Sequence, residues 1–217
     1  MKKITLLLLL ILTYSCGIQY DGEKRLIVEG QITDRDEKPL SGRIVEVIVS
    51  DYDETDVISN SYTDANGNVL MIFPAPQNAD YFSNTRISIR IAGDEIWQGK
   101  YLYNMWESDF TSYKYKLNTT LYKKEDIVQF NVIPNRVSNK DLVDVRIEGI
   151  QSNESIDFHP IVNDVLYANI QQEFKVIKNQ QLVLHYTILN NDNTAPTSYN
   201  ETINIGNDPI NQYTITY

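Results

Sequence analysis

Residues 26–33 read LIVEGQIT, and the chain beyond them repeats one grammar: a short run rich in Val, Ile and Thr, then a turn. The turn at 34–38 leads into Pro39-Leu40-Ser41-Gly42 and the run IVEVIVS at 44–50. The acidic stretch DYDETD (51–56) reads as a loop, 57–62 as another short strand, and 63–68 as a turn that releases the strand 69–73. Branched side chains favour strands because they pack well on a pleated surface. Asn66-Gly67 predicts a hairpin, since both residues tolerate the positive φ that tight turns need. Beyond residue 16 no stretch sustains a helical period, so the fold class is all-β.

The order Val28-x-Gly30-x-Ile32-x-Asp34, then Pro39-Leu40-x-Gly42, then Val45-x-Val47, then Thr63-Asp64-x-x-Gly67 resembles the carboxypeptidase regulatory-like domain. That resemblance implies a seven-stranded, transthyretin-like antiparallel β-sandwich. It covers 26–73 by motif and extends by inference to residue 123. The motif residues are turn and core positions, so they point to a fold rather than an active site. Glu37-Lys38 stands where that family usually carries a glycine, so this turn is made differently. The family has no peptidase chemistry of its own and serves as a packing or spacer module beside transporters, enzymes and adhesins. Asp64-x-Asn66-x-Asn68 also has the opening spacing of a calcium loop, but its twelfth position is Ala75 rather than Glu, and the stretch reads as a turn.

The rest of the first domain (25–123) carries strands at 86–91, 95–103 and 113–122. Between them lies the densest aromatic segment, with Trp97, Tyr101, Tyr103, Trp106, Phe110, Tyr113 and Tyr115. Tyr101 and Tyr103 are two apart and share one strand face. NMWESDFTS (104–112) breaks the alternation and reads as a loop. A Trp and a Phe on a loop tip need cover. Either Trp106 and Phe110 fold back as a plug over the sandwich end, or they meet a partner or ligand. Aromatics are favoured anchors in both protein interfaces and sugar platforms. Trp97, Tyr101, Tyr103, Trp106 and Phe110 are therefore the candidate contact residues.

A second pattern occupies 124–217. Val128, Phe130 and Val132 alternate with polar neighbours, and Val143, Val145 and Ile147 alternate with Asp144, Arg146 and Glu148, as in a strand with one wet face. Further runs lie at 165–177, 182–189, 201–205 and 212–217. This spacing suggests an immunoglobulin- or fibronectin-like sandwich. The chain as a whole thus reads as two consecutive antiparallel β-sandwiches. The terminal alternation Tyr213-Thr-Ile215-Thr-Tyr217 is the last strand of the second one. A membrane barrel needs an unbroken apolar outer band, which Arg146, Glu148 and Lys175 interrupt.

Before all this stand Lys2-Lys3, the run LLLLLIL at 6–12 and Thr-Tyr-Ser-Cys16. A basic start, a short apolar centre and small residues near a cut make a secretory signal peptide. The centre is too short for a spanning helix, which needs about 20 apolar residues. The stretch resembles a bacterial lipoprotein signal, which implies removal of 1–15 and lipid attachment at Cys16, the protein's one cysteine. The tether 16–24, with Asp21 and Glu23, resembles the leaders of Bacteroidetes-type lipoproteins, whose acidic residues direct export to the cell surface. The expected location is the outer membrane, surface-exposed, with the periplasmic face as the other orientation.

The 217 residues carry 19 basic and 29 acidic side chains, a net charge of −10. Losing Lys2 and Lys3 with the leader takes this to −12. Such a surface repels a phosphate backbone, so nucleic acid is not an expected partner. His159 and His185 have neither a HExxH nor a paired-cysteine context, so no metal is expected. There is no GxSxG elbow and no glycine-rich phosphate cradle, so neither enzyme activity nor a cofactor is expected. The sequence reading is thus a lipid-anchored, non-enzymatic accessory subunit. Its expected partners are a TonB-dependent transporter or other outer-membrane β-barrel, an assembly machine, or other lipoproteins. The alternative is a surface glycan-binding or adhesion lipoprotein using the aromatic platform.

Overall fold

The computed structural model describes residues 17–52, 54–80, 82–159, 170–190 and 194–217. The expected leader, Cys16 and the early part of the 165–177 run lie outside them. The described chain is all-β, without an α-helix. Its first half forms β1 (Tyr20–Thr33), β2 (Ile44–Asp51), β3 (Glu54–Tyr62), β4 (Asn68–Pro76), β5 (Arg86–Ile91), β6 (Lys100–Met105), β7 (Lys114–Lys116) and β8 (Thr119–Thr120). Then come β9 (Ile127–Asn135), β10 (Asp141–Glu148), β11 (Ser155–Asp157), β12 (Glu173–Ile177), β13 (Gln180–Leu189), β14 (Thr197–Ile205) and β15 (Ile210–Thr216).

Alternation decides what faces inward. In the first sandwich one sheet runs β4-β1-β7, with β8 also against β1, and the other runs β11-β6-β5-β2-β3. Leu26, Val28 and Ile32 of β1 and Met71 and Phe73 of β4 meet Val45, Val47, Ile89 and Leu102 of the facing sheet. Each fully buried side chain of this kind contributes about 1.5–3 kcal/mol. The second sandwich sets β12-β9-β15 against β10-β13-β14 around Phe130, Val176, Leu182 and Leu184. Pairing is mainly antiparallel. β1 with β7 and β8, β6 with β11, and β9 with β15 are parallel. The terminal stretch 213–217 supplies β15 to this sandwich, and no sheet closes into a barrel among the described residues.

Where β7 enters beside β1, Gly30 is required: a Cβ there would collide with the Leu117 carbonyl, whose own N–H donates to the Glu29 carbonyl at 2.9 Å.

Several expectations are corrected. The tether is shorter than 16–24, because β1 already begins at Tyr20. Ile18 packs on the core and donates its N–H to the Glu54 carboxylate at 3.1 Å, while the Tyr20 hydroxyl reaches Asp56 at 2.9 Å. The acidic stretch 51–56 is not an open loop, since β2 and β3 pair up to Asp51 opposite Glu54. Asn66-Gly67 makes a turn but no hairpin: β3 and β4 belong to different sheets. Gly67 (φ +72°) instead tucks beneath Ile32 and Leu40, and its carbonyl accepts the Ile32 N–H, so β4 is delivered to β1. The Asp64 carboxylate there is occupied by the N–H groups of Asn66 and Asn68, both at 2.8 Å. In β10 a bulge between Leu142 and Asp144 shifts the alternation, so Leu142, Val145 and Ile147 are buried and Val143 is not. Finally, the stretch 151–158 does not belong wholly to the second sandwich, as its place in 124–217 implies: its strand β11 pairs with β6 of the first.

Candidate functional site

The candidate aromatics sort into four environments. Phe110 follows a single 3-10 turn (Glu107–Asp109) that the 104–112 loop makes after β6. It is 5% exposed, edge-on to Phe73 at 6.0 Å and tilted against Tyr115 at 6.0 Å. It is the plug, and its place among candidate contact residues is corrected: a ring closing the sandwich end offers no face to a partner.

Trp106 is half-buried, and the chain itself covers one face. The His159 ring stacks on it at 3.4 Å, with planes 5° apart, and the Arg86 guanidinium lies 5.8 Å from its centroid. The Asp109 carboxylate fixes both partners, accepting the Trp106 backbone N–H at 2.7 Å and meeting His159 Nε2 at 3.0 Å. Next to this pair Phe158 stands edge-on to Tyr115 at 5.8 Å, and Asn104 donates to Asp157 at 2.8 Å. Lys24 of β1 closes the other side with an ion pair to Glu107 at 2.6 Å, which holds its ammonium above the ordinary lysine value. The 104–112 loop is therefore clamped between β1 and the 155–159 segment.

Tyr101 and Tyr103 behave differently. Leu102 points into the core and the two tyrosines point out, their rings stacked at 5.6 Å and 12°. Tyr101 is 37% exposed and sits in register beside Arg90, which pairs with Glu46 at 2.5 Å. Tyr103 lies opposite Asp157 in the β6–β11 pair; partial burial, then that carboxylate, push its phenol above the usual value. Together they make a paired aromatic ledge on the outer face of the larger sheet.

Trp97 is apart from both groups. It lies in the loop before β6, packs part-buried against the first core and lines a cavity of about 300 Å³ with Asp34, Asp36, Lys38, Lys123 and Asp126. Its backbone is pinned by Asp94, whose carboxylate accepts the Trp97 N–H at 2.7 Å and pairs with Arg43. That acceptance, then the Arg43 bond, lowers the Asp94 pKa to about 2.

Of the five predicted aromatics, the structure brings Tyr101 and Tyr103 together, gives Trp106 to an internal stack, buries Phe110 and leaves Trp97 in a separate cavity. His159 and Phe158 join the junction without having been legible as members of it. Their only sequence signal is aromatic content in SIDFH at 155–159, which has no strand-like alternation. Among the described residues no group of three or more His, Cys, Asp or Glu side chains is arranged to hold a metal.

No protein-family model matches the chain. No curated protein matches it either. Among solved structures it is similar to a 9R-lipoxygenase from Cyanothece PCC8801 (18% identity, TM-score 0.30), over 55% of this chain and 20% of that one. It is similar to the Bacillus anthracis TIE protein (12%, 0.31), over 89% of this chain and 34% of that one. It is also similar to a mutant of the shaft pilin SpaA from Lactobacillus rhamnosus GG (10%, 0.33), over 89% of this chain and 98% of that one. The chain thus spans a fifth of the lipoxygenase and about a third of the TIE protein. At such scores none of these likenesses bears on function. The fold rests on the chain's own sheets and cores: two β-sandwiches in succession.

Proposed function

We propose that this chain is an outer-membrane lipoprotein, anchored through Cys16 and facing the cell surface, that serves as a non-enzymatic accessory subunit of a larger membrane complex. The observation that carries this reading is the join between the N-terminal sequence and the start of the fold. Lys2-Lys3, the apolar run 6–12 and Cys16 have the layout of a lipoprotein signal, and β1 begins at Tyr20. Four residues span at most about 14 Å. A lipid on Cys16 therefore keeps the first sandwich against the headgroups, in reach of the exposed part of a barrel protein. Several acyl chains, each contributing about 0.8 kcal/mol per buried methylene, make such mooring effectively permanent. The partner would be a TonB-dependent transporter or an assembly machine, and the Tyr101–Tyr103 ledge with Arg90 is the surface we assign to it.

The test is isolation of the tagged chain from detergent-solubilised membranes of its own host. A stoichiometric β-barrel partner, lost in Tyr101→Ala with Tyr103→Ala while the fold is kept, supports the reading. A solitary protein contradicts it. The second reading, a glycan-binding or adhesion lipoprotein, draws support from the same ledge, because parallel outward-facing rings, Tyr101 exposed and Tyr103 partly so, suit the flat face of a sugar. It predicts retardation of the solitary protein in polysaccharide-containing gels, abolished by the same double substitution.

A further inference from the structure

Lys100 opens β6 on the inward-facing side, in step with Leu102, and is 8% exposed. A core-facing position of this kind is ordinarily apolar. Its ammonium donates to Thr119 Oγ1 and to the Thr120 carbonyl, both at 3.1 Å. Both acceptors are neutral, and burial holds the ammonium below the ordinary lysine value. A buried charge without a counter-charge is costly. Fastening β8 to β6 does not require it, since a neutral amide side chain can make the same two hydrogen bonds.

Lys100, with its two acceptors Thr119 and Thr120, lines an open cavity of about 440 Å³. Beside Lys100 its walls include Asn118, Gln151 and Asn153, which carry amides, Thr119, which carries a hydroxyl, and Glu37, which carries a carboxylate. The volume lies within the usual range for small-molecule sites. The lining is mainly polar, with one cation, one anion, several groups that both donate and accept, and one aromatic ring, that of Tyr122. An apolar ligand finds no complement here. A divalent cation is repelled by Lys100, and the several charges of a polyphosphate exceed what one ammonium near Glu37 can balance. The chemistry that fits is a ring of hydroxyls that also carries a carboxylate.

We propose that this cavity binds one acidic sugar of the uronic-acid class, with its carboxylate on the Lys100 ammonium and its hydroxyls on the surrounding amides and Glu37. The site shares no residue with the Tyr101–Tyr103 ledge and does not depend on the lipid anchor. Its walls come from the end of β1 and the turn after it, the start of β6, the β8 strand and its flanks, and the 151–153 segment.

The experiment is titration of the full chain in detergent solution with D-glucuronate, D-glucose and acetate, followed by calorimetry and by the backbone amide signals of Thr119, Thr120 and Asn153. The expected result is saturable binding of glucuronate with shifts at those amides, and binding of glucose and of acetate weaker by about tenfold or more. Lys100→Met lowers glucuronate affinity by about the same factor with the melting transition retained. Asn153→Asp, which keeps a residue tolerant of the positive φ (43°) at this exposed position and sets a second carboxylate against the ligand's own, lowers it severalfold. Absence of amide shifts in the unmodified chain at about 20 mM glucuronate overturns the proposal. So does equal binding of acetate and glucuronate, or undiminished affinity in Lys100→Met.

Discussion

Phe110 and Trp106 stand four residues apart on one loop, yet they meet opposite fates because of what lies beneath each. Phe110 reaches Phe73 and Tyr115 in the core, whereas Trp106 lies over the sandwich end and is covered by His159. Phe110→Ala is therefore expected to lower stability by about 3–5 kcal/mol, as for other buried Phe truncations. Trp106→Ala, at a half-buried position, is expected to cost about 1–3 kcal/mol. Urea unfolding of the two variants checks the order, and an equal or reversed cost contradicts the plug assignment. Asp94 gives a second prediction at this scale. Its carboxyl pKa is about 2 when folded against an ordinary value of 3.8, because the Trp97 N–H, then Arg43, favour the charged form. A depressed carboxylate contributes stability that is present above its unfolded value and is lost as pH falls. The window for Asp94 therefore runs from about 3.8 down to about 2. A carbon-13 titration of its side chain should find the midpoint near the lower value, and a midpoint near the unfolded one contradicts the geometry.

Strands with clean alternation were legible in the sequence, and strands defined by a distant partner were not. LIVEGQIT, RISIRI and the 128–132 run alternate because one face is buried, and each lies in an observed strand. SIDFH (155–159) has no such pattern. Its strand β11 exists because β6 presents an edge, and Tyr101 donates to the Glu154 carbonyl while Phe158 donates to that of Tyr103. No local rule foretells a parallel pairing across about 50 residues of chain. Asn66-Gly67 fails for a related reason: the turn chemistry is local and correctly read, but whether the flanking strands pair is settled by β1, which takes β4. The same limit applied to the candidate site. Two-residue spacing sufficed to pair Tyr101 with Tyr103, whereas the Trp106–His159 stack joins residues that nothing in the spacing links. Because β11 and its flank hold the 104–112 loop, Ile156→Ala with Phe158→Ala should cost about 2–4 kcal/mol in total for these two part-buried side chains. Amide exchange at Tyr101 and Phe158 should accelerate while that in β13 stays unchanged. Uniform acceleration in both sandwiches contradicts the assignment of β11 to the first.

At the scale of the whole molecule, two separate apolar cores lie in one chain, the first centred on residues such as Val47 and Phe73 and the second on Phe130 and Leu184. Only the first is near Cys16 in sequence. Its N-terminal edge is tied down by Ile18 on Glu54 and Tyr20 on Asp56, so the lipid proposed on Cys16 would sit only a few residues from folded protein. Such a mooring, if the proposal holds, would suit a subunit that stays beside a membrane partner. The whole proposal turns on the chemical state of residue 16, and mass spectrometry of the chain extracted from its native membranes reads that state directly. The expected N-terminal peptide begins at Cys16 and carries a diacylglyceryl thioether. A free thiol at Cys16, or residues 1–15 still joined to it, contradicts the account.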